Sequence, residues 1–133
     1  MDFSTIDLAA NAERGADVHI EHPVTEEPLF TEDGQPIIIR VLGQDSREFR
    51  AAVTSLADKA SRGKQSLDKT EAAAIDLLTR VVVRWHGIMW EGKALECTQE
   101  NVRMFLTKFP PIRRQIDAFI ADRANFTKPA RSK

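Results

Sequence analysis

The pattern of apolar and polar positions changes period twice along the 133-residue chain. At the start, Ile6, Leu8, Ala9 and Ala12 form a partial helical stripe, with Ser4 as candidate N-cap and Gly15 placed to stop the helix. "DVHIEHP" then alternates, with Val18 and Ile20 on one side and His19 and Glu21 on the other. In "PLFTEDGQPIIIRVLG", Asp33-Gly34 signals a hairpin-type turn ahead of a β-branched run. Within that run Ile37, Ile39 and Val41 share a face, and Ile38 and Leu42 flank Arg40 on the other. Residues 17–43 therefore read as a small antiparallel sheet.

From Asp45 the period becomes helical. Asp45-Ser46-Arg47-Glu48 fits a capping box in which Asp45 accepts from an unpaired N–H and Glu48 reaches back. Phe49, Val53, Leu56 and Ala60 follow at helical spacing up to Gly63. A second box, Asp68-Lys69-Thr70-Glu71, opens a helix with two apolar stripes: Ile75, Leu78, Val82 and Trp85, and Ala74, Leu77 and Val81. So wide an apolar face predicts a central helix. Val81-Val82-Val83 has strand propensity, but the cap and the long periodic run predict that the helix continues to Trp85. After Gly87 the chain must reverse, and Glu91-Gly92 predicts a small hairpin or tight loop. Thr98 caps the next helix, which carries Val102, Phe105, Leu106 and Phe109. Pro110-Pro111 breaks it and starts a last helix with Ile112, Ile116, Phe119 and Ile120 inward. The fold class expected is α+β: a small N-terminal antiparallel sheet, then a mainly helical C-terminal half of about four helices. Residues 1–126 form one domain in this reading, with 45–125 helical and 127–133 a flexible basic tail.

Composition narrows the function classes. One cysteine cannot form an internal disulfide framework, and no apolar run is long enough to span a membrane. The N-terminus carries acids where a secretion signal carries bases, so a cytoplasmic protein is expected. The net charge of −1 hides a segregation. Residues 1–33 hold nine acids against Arg14, and residues 101–133 hold eight bases against Asp117 and Asp122, giving −8 and +6. Such polarity suits head-to-tail attraction between copies, although a solvated face and a basic tail produce the same count.

The residues offer three candidate chemistries. Cys97, just ahead of a helix start, and His86, across a turn, form the one candidate thiol–base pair, without an oxyanion-hole signature or Gly-rich loop. His19, Glu21 and His22 are metal-ligand types, but a strand turns His22 away from the other two and the spacing is not that of a zinc site. Neither pattern supports catalysis or a cofactor, and no metal is expected. "IRRQIDAFIADR" places Arg113, Arg114 and Arg123 on a helix near the basic tail, a phosphate-attracting cluster in a domain of pI about 6.3. This makes a small nucleic-acid-associated phage or bacterial regulator the alternative function. Trp85, Trp90, Phe105 and Phe109 form an aromatic set suited to protein recognition, with Trp90 the one expected to be exposed at a bend.

The stretch "WHGIMWEGKALECTQENVRMFLTKFPPIRRQIDAFIADRANF" resembles the C-terminal half of tail assembly chaperones from long-tailed bacteriophages and prophages. The shared pieces are Trp85-His86-Gly87, Glu91-Gly92-Lys93-Ala94-Leu95, Thr98-Gln99-Glu100-Asn101, Pro110-Pro111 and Ile112 through Phe119. "HIEHPVTEEPL" is similar to their early sheet segment, with Glu26 where the resemblance leads one to expect glycine. The resemblance implies a non-enzymatic protein of the host cytoplasm, absent from the mature virion. It implies that the chain binds the tape measure protein and helps tail tube protein assemble around it. A holdase for long helices also needs to line up in several copies, and self-association through the oppositely charged ends is the expectation from the −8 and +6 count. Trp85, Trp90, Phe105, Phe109, Arg113 and Arg114 are the candidate partner-binding residues.

Overall fold

A computed structural model describes residues 1–62 and 67–127. After a 3-10 turn at Phe3–Thr5, the element order is α1 (Leu8–Arg14), β1 (Ala16–His19), β2 (Ile38–Val41), α2 (Arg47–Arg62) and α3 (Leu67–Val81). β3 (Val82–His86), β4 (Met89–Trp90), β5 (Lys93–Ala94), α4 (Gln99–Lys108), α5 (Pro110–Ala121) and α6 (Ala124–Thr127) follow. The mixed α/β class matches the sequence reading, but the described residues hold six α-helices where about four were expected.

The caps explain the first elements. The Asp2 carboxylate accepts from Ser4 N–H at 2.9 Å, and Asp7 accepts from Ala10 N–H at 2.9 Å. Asp7, rather than Ser4, is therefore the N-cap of α1, and Gly15 closes that helix as expected. The chain then enters β1, which pairs antiparallel with β2: Ala16 with Val41, Asp17 with Arg40, Val18 with Ile39, His19 with Ile38. The Asp33-Gly34 signal falls in the turn between them, where Thr31 N–H donates to Gln35 C=O at 2.7 Å. Glu26 takes φ +65°, so the turn keeps the left-handed conformation a glycine would have supplied.

The main departure comes after Val81. The helix stops there, and Val82–His86 forms a third strand on β2, with Ile39 opposite Trp85, Arg40 opposite Arg84 and Ile38 opposite His86. The sheet order is β1-β2-β3, so the sheet is not confined to residues 17–43. Tertiary demand decided between the two propensities of the valine run. β2 is fully buried at Ile39 and Val41, and its outward N–H and C=O groups needed a partner that only β3 supplies. The handover is marked by Leu42 N–H donating to Val81 C=O at 2.9 Å. Trp85 therefore lies on a strand and does not close a helix.

α2 also differs at its start. Ser46, wholly buried, accepts from Phe49 N–H at 3.1 Å and is the N-cap. Asp45 turns instead to Arg123, with its two oxygens 2.7 and 3.0 Å from Nε and Nη2. That guanidinium holds the Asp45 carboxyl below its ordinary pKa. The buried side of α2 runs through Ala52, with Phe49 and Leu56 half-buried, and leaves Val53 exposed rather than in the core. Gly63 and the side chains of Ala60, Asp68 and Lys69 lie outside the described residues, so the second capping box does too. The same holds for the basic tail beyond Thr127, which itself ends α6.

One core unites the layers. Val18, Ile39 and Val41 from the sheet meet Ile75, Leu78 and Val81 of α3, Phe105 and Leu106 of α4, and Ile112, Ile116 and Ile120 of α5. α4 is capped by Thr98, which accepts from Asn101 N–H at 3.1 Å, and the proline pair opens α5. The C-terminal carbonyls of α5 are met by Gln44, whose Nε2 lies 3.2 Å from Ile120 O, and by Asn125 on Phe119 O at 2.9 Å. α6 then packs Phe126 against α1, where a Cβ on Gly43 would fall 2.8 Å from Ala12 Cβ. The two ends of the described chain thus lie together, not at opposite poles.

The two glycines of the Trp85–Asn101 corner differ in kind. Gly87 has φ +88°, and a Cβ there would meet Thr31 Cγ2 at 2.8 Å and Ile37 Cγ1 at 3.0 Å. Gly92 has φ +84° with open space around it, and with Glu91 at φ +50° it forms a hairpin turn of two left-handed residues. Gly87→Ala is expected to lower stability by about 2–3 kcal/mol and Gly92→Ala by about 1 kcal/mol. Urea unfolding of both variants measures the difference, and equal losses would contradict the packed corner.

Candidate protein-interaction surface

Four of the candidate binding residues come together as one ladder of rings. Trp85 lies edge-on to Phe105 with centroids 5.5 Å apart, Phe105 is 5.1 Å from Phe109, and Phe109 is 6.3 Å from Trp90. The elements that place them are β3, α4, the C-cap of α4 and β4. Phe105 is buried, and Trp85, Phe109 and Trp90 are half-buried. Trp85 Nε1 donates to Leu95 C=O at 2.7 Å, which ties the hairpin arm back onto the sheet. Trp90 is not the exposed residue that its place in a bend predicts. Its ring rests on Phe109, with Lys108 Nζ 6.0 Å from its centroid, a distance suited to cation–π attraction. The hydrophobic effect favours folding so large a ring down, and the exposed apolar residue of the hairpin is Met89, 58% accessible. The ladder runs from core to surface and is chiefly packing.

The arginines separate. Arg113 reaches inward to Glu71 at 3.0 Å with a side chain only 13% exposed, and its Nε is buried without a partner. Arg114, about 100° further round α5, is exposed, and Arg123 is engaged by Asp45. The basic cluster read along the sequence is therefore dispersed, with two of its three guanidiniums held by carboxylates.

His86 and Cys97 are not brought together as a working pair. Strand alternation sends Trp85 and His86 to opposite faces, and Cys97 packs on the Trp85 side against the core. Burial pushes the Cys97 thiol up, opposed in part by the Trp85 backbone, which disfavours the thiolate that a nucleophile needs. Each histidine of the candidate metal set has a structural task. His19 Nε2 is 2.8 Å from Leu29 O, and His22 Nδ1 accepts from Val24 and Thr25 N–H at 3.0 and 3.2 Å. Among the described residues no three of His, Cys, Asp and Glu gather at metal-binding spacing, and no helix is long and apolar enough to cross a membrane.

A surface that sequence reasoning missed lies at the N-terminal end. Phe3 of the 3-10 turn is 75% exposed, Ile6 and Leu8 after it are also exposed, and α1 lines a groove of about 360 Å³. Ala9 and Glu13 of α1 form one wall, and Arg47, Arg50, Ala51 and Thr54 of α2 form the other. A shallow groove with charged walls of both signs suits the polar flank of an amphipathic helix. The signal was present in Phe3, Ile6 and Leu8, because the first two precede α1 and Leu8 opens it, which leaves too short a helix behind them for burial.

Comparison with protein-family models, with curated proteins and with solved structures finds no match for this chain.

Arg113→Ala is expected to lower stability by about 1 kcal/mol through lost packing of the side-chain stem and loss of a half-exposed ion pair. Arg114→Ala is expected to change it by less than about 0.5 kcal/mol. Chemical denaturation of the two variants separates them, and a reversed order would contradict the placement of α5. Alkylation of Cys97 by iodoacetamide should be slower at neutral pH than that of a free cysteine and should rise to half its limit at a pH above the ordinary thiol value. A rate above that of free cysteine would restore the reactive-thiol reading.

Proposed function

We propose that the chain is a tail assembly chaperone of long-tailed bacteriophages or prophages. In this reading it binds the tape measure protein and aids tail tube assembly in the host cytoplasm, with no reaction catalysed. Support comes first from the order of the hairpin, the Thr98-capped helix and the proline break, which agrees with the resemblance. The chain enters the Trp85-His86-Gly87 corner from a strand, where the resemblance leads one to expect a helix. The observation that carries the reading is the exposure of Phe3, Ile6 and Leu8 at the N-terminal end, together with the charged groove that Ala9 and Glu13 form with α2. A tape measure protein presents long helices whose apolar faces must be kept from one another before the tube encloses them. A shallow apolar strip serves that purpose, because its own burial is small and it releases the client when tube subunits arrive. The walls of mixed sign, Glu13 facing Arg47 and Arg50, suit the alternating charges that flank the apolar face of such a helix.

Co-expression with the tape measure protein of the same phage tests the proposal. The tape measure protein is expected to move from the pellet to the soluble fraction and to co-purify with this chain. Phe3→Ser with Leu8→Ser should remove most of that rescue while leaving the melting temperature of this chain unchanged, because both residues are exposed. A tape measure protein that stays insoluble alongside a soluble, folded partner would overturn the proposal.

A further inference from the structure

We propose that residues 1–7 form an arm that docks into the α1–α2 groove of a second copy of this chain. The arm is folded without help from the rest of the molecule. Ser4 donates to Asp2 Oδ1 through its N–H at 2.9 Å and through its hydroxyl at 2.7 Å, and Thr5 Oγ1 donates to Asp2 C=O at 2.8 Å. Ile6 N–H closes the turn on Phe3 C=O at 3.0 Å. The hydrogen bonds of Asp2 through Asp7 all stay within residues 2–11, and every residue from Met1 to Ala10 is exposed. Met1, Phe3 and Ile6 are thus held out in solvent on a preformed turn. A segment ordered in advance loses little conformational freedom when it docks.

The groove has the form such an arm needs. Ala9 of α1 and Ala51 and Thr54 of α2 are small side chains, and the hollow between the two helices measures about 360 Å³. A benzene ring occupies a cavity of about 150 Å³, so there is room for the Phe3 ring. The chain does not fill its own groove. None of residues 1–7 lines it, and Phe3 stays exposed.

Charge selects a second copy as the occupant. The arm carries Asp2 and Asp7 and no basic side chain. Both bonds from Ser4 go to Asp2 Oδ1, so Oδ2 is free, and neither aspartate is in an ion pair among the described residues. Arg47 and Arg50 line the groove, are exposed, and are likewise outside every ion pair among the described residues. Asp45, on the same wall, is already held by Arg123. That leaves Glu13 against two guanidiniums, an excess of positive charge where an acidic, apolar arm would enter. So small a contact makes the association weak and concentration-dependent. It does not rest on the chaperone reading.

Sedimentation equilibrium of the full chain from micromolar to millimolar concentration is the test. The mean mass is expected to rise above that of the monomer. Phe3→Ser spoils the arm and leaves the groove, whereas Arg47→Glu with Arg50→Glu spoils the groove and leaves the arm. All three positions are exposed, so both variants should keep the melting temperature of the parent chain and stay monomeric on their own. Mixed in equal amounts they should associate again, because the intact arm of one meets the intact groove of the other. A parent chain that is monomeric at every concentration would overturn the proposal. So would association that either variant retains, or that the mixture does not restore. If the chain associates as described but leaves tape measure protein insoluble, this proposal stands and the chaperone reading falls.

Discussion

Burial of β2 between two antiparallel partners is the constraint on which the rest of the molecule depends. Ile39 and Val41 have no exposed surface, and a strand so buried must have its backbone groups paired on both sides. β1 arrives directly after α1, but the second partner comes from the far side of two helices, at Val82–His86. This long-range pairing converts α3 into β3 without an intervening loop and sets the direction of everything downstream. Once β3 is docked, Trp85 lies over α4, Gly87 must turn against Thr31 and Ile37, and the hairpin folds back through the Trp85–Leu95 bond.

The aromatic ladder follows from that geometry. Trp85 on the strand, Phe105 and Phe109 on and at the end of α4, and Trp90 on the hairpin join three elements that share little backbone hydrogen bonding. Edge-to-face contacts of this kind add about 0.5–1.5 kcal/mol each beyond burial, so the ladder holds the corner as a unit. It leaves little of the corner free to act as a recognition surface. Apart from Met89, the exposed apolar side chains lie away from the ladder, among them Phe3, Ile6 and Leu8 at the N-terminal end and Val24 in the turn after β1.

Much of this was legible in the sequence because local signals and tertiary needs agree. Gly15, Asp33-Gly34, Glu91-Gly92, Thr98 and the proline pair each stand where a backbone conformation or a cap requires them. Legibility failed where two local preferences competed and a distant partner decided. Val81-Val82-Val83 continues a helical stripe and also suits a strand, and only the unpaired edge of β2 settles it. Asp45 and Ser46 are both good caps, and Arg123, far along the chain, draws Asp45 away. Of the candidate site, the four rings were found as a group, but whether they face solvent was not encoded in their spacing. Arg113 and Arg114 are alike in sequence and opposite in role because Glu71 lies on one side of α5. The pairing of Gln115 with the Glu21 backbone had no sequence signature.

The packing of the sheet, the corner and α4 depends on residues 82–86 being the third strand. The register places Ile39 and Trp85 as a non-hydrogen-bonded pair, the arrangement in which opposing Hα atoms approach most closely. NMR of the isotopically labelled chain should therefore show a strong Hα–Hα cross-peak between Ile39 and Trp85, with extended-type carbon shifts from Val82 to His86. Helical shifts through Trp85, with Hα-to-amide contacts three residues apart and no cross-peak to Ile39, would contradict the account.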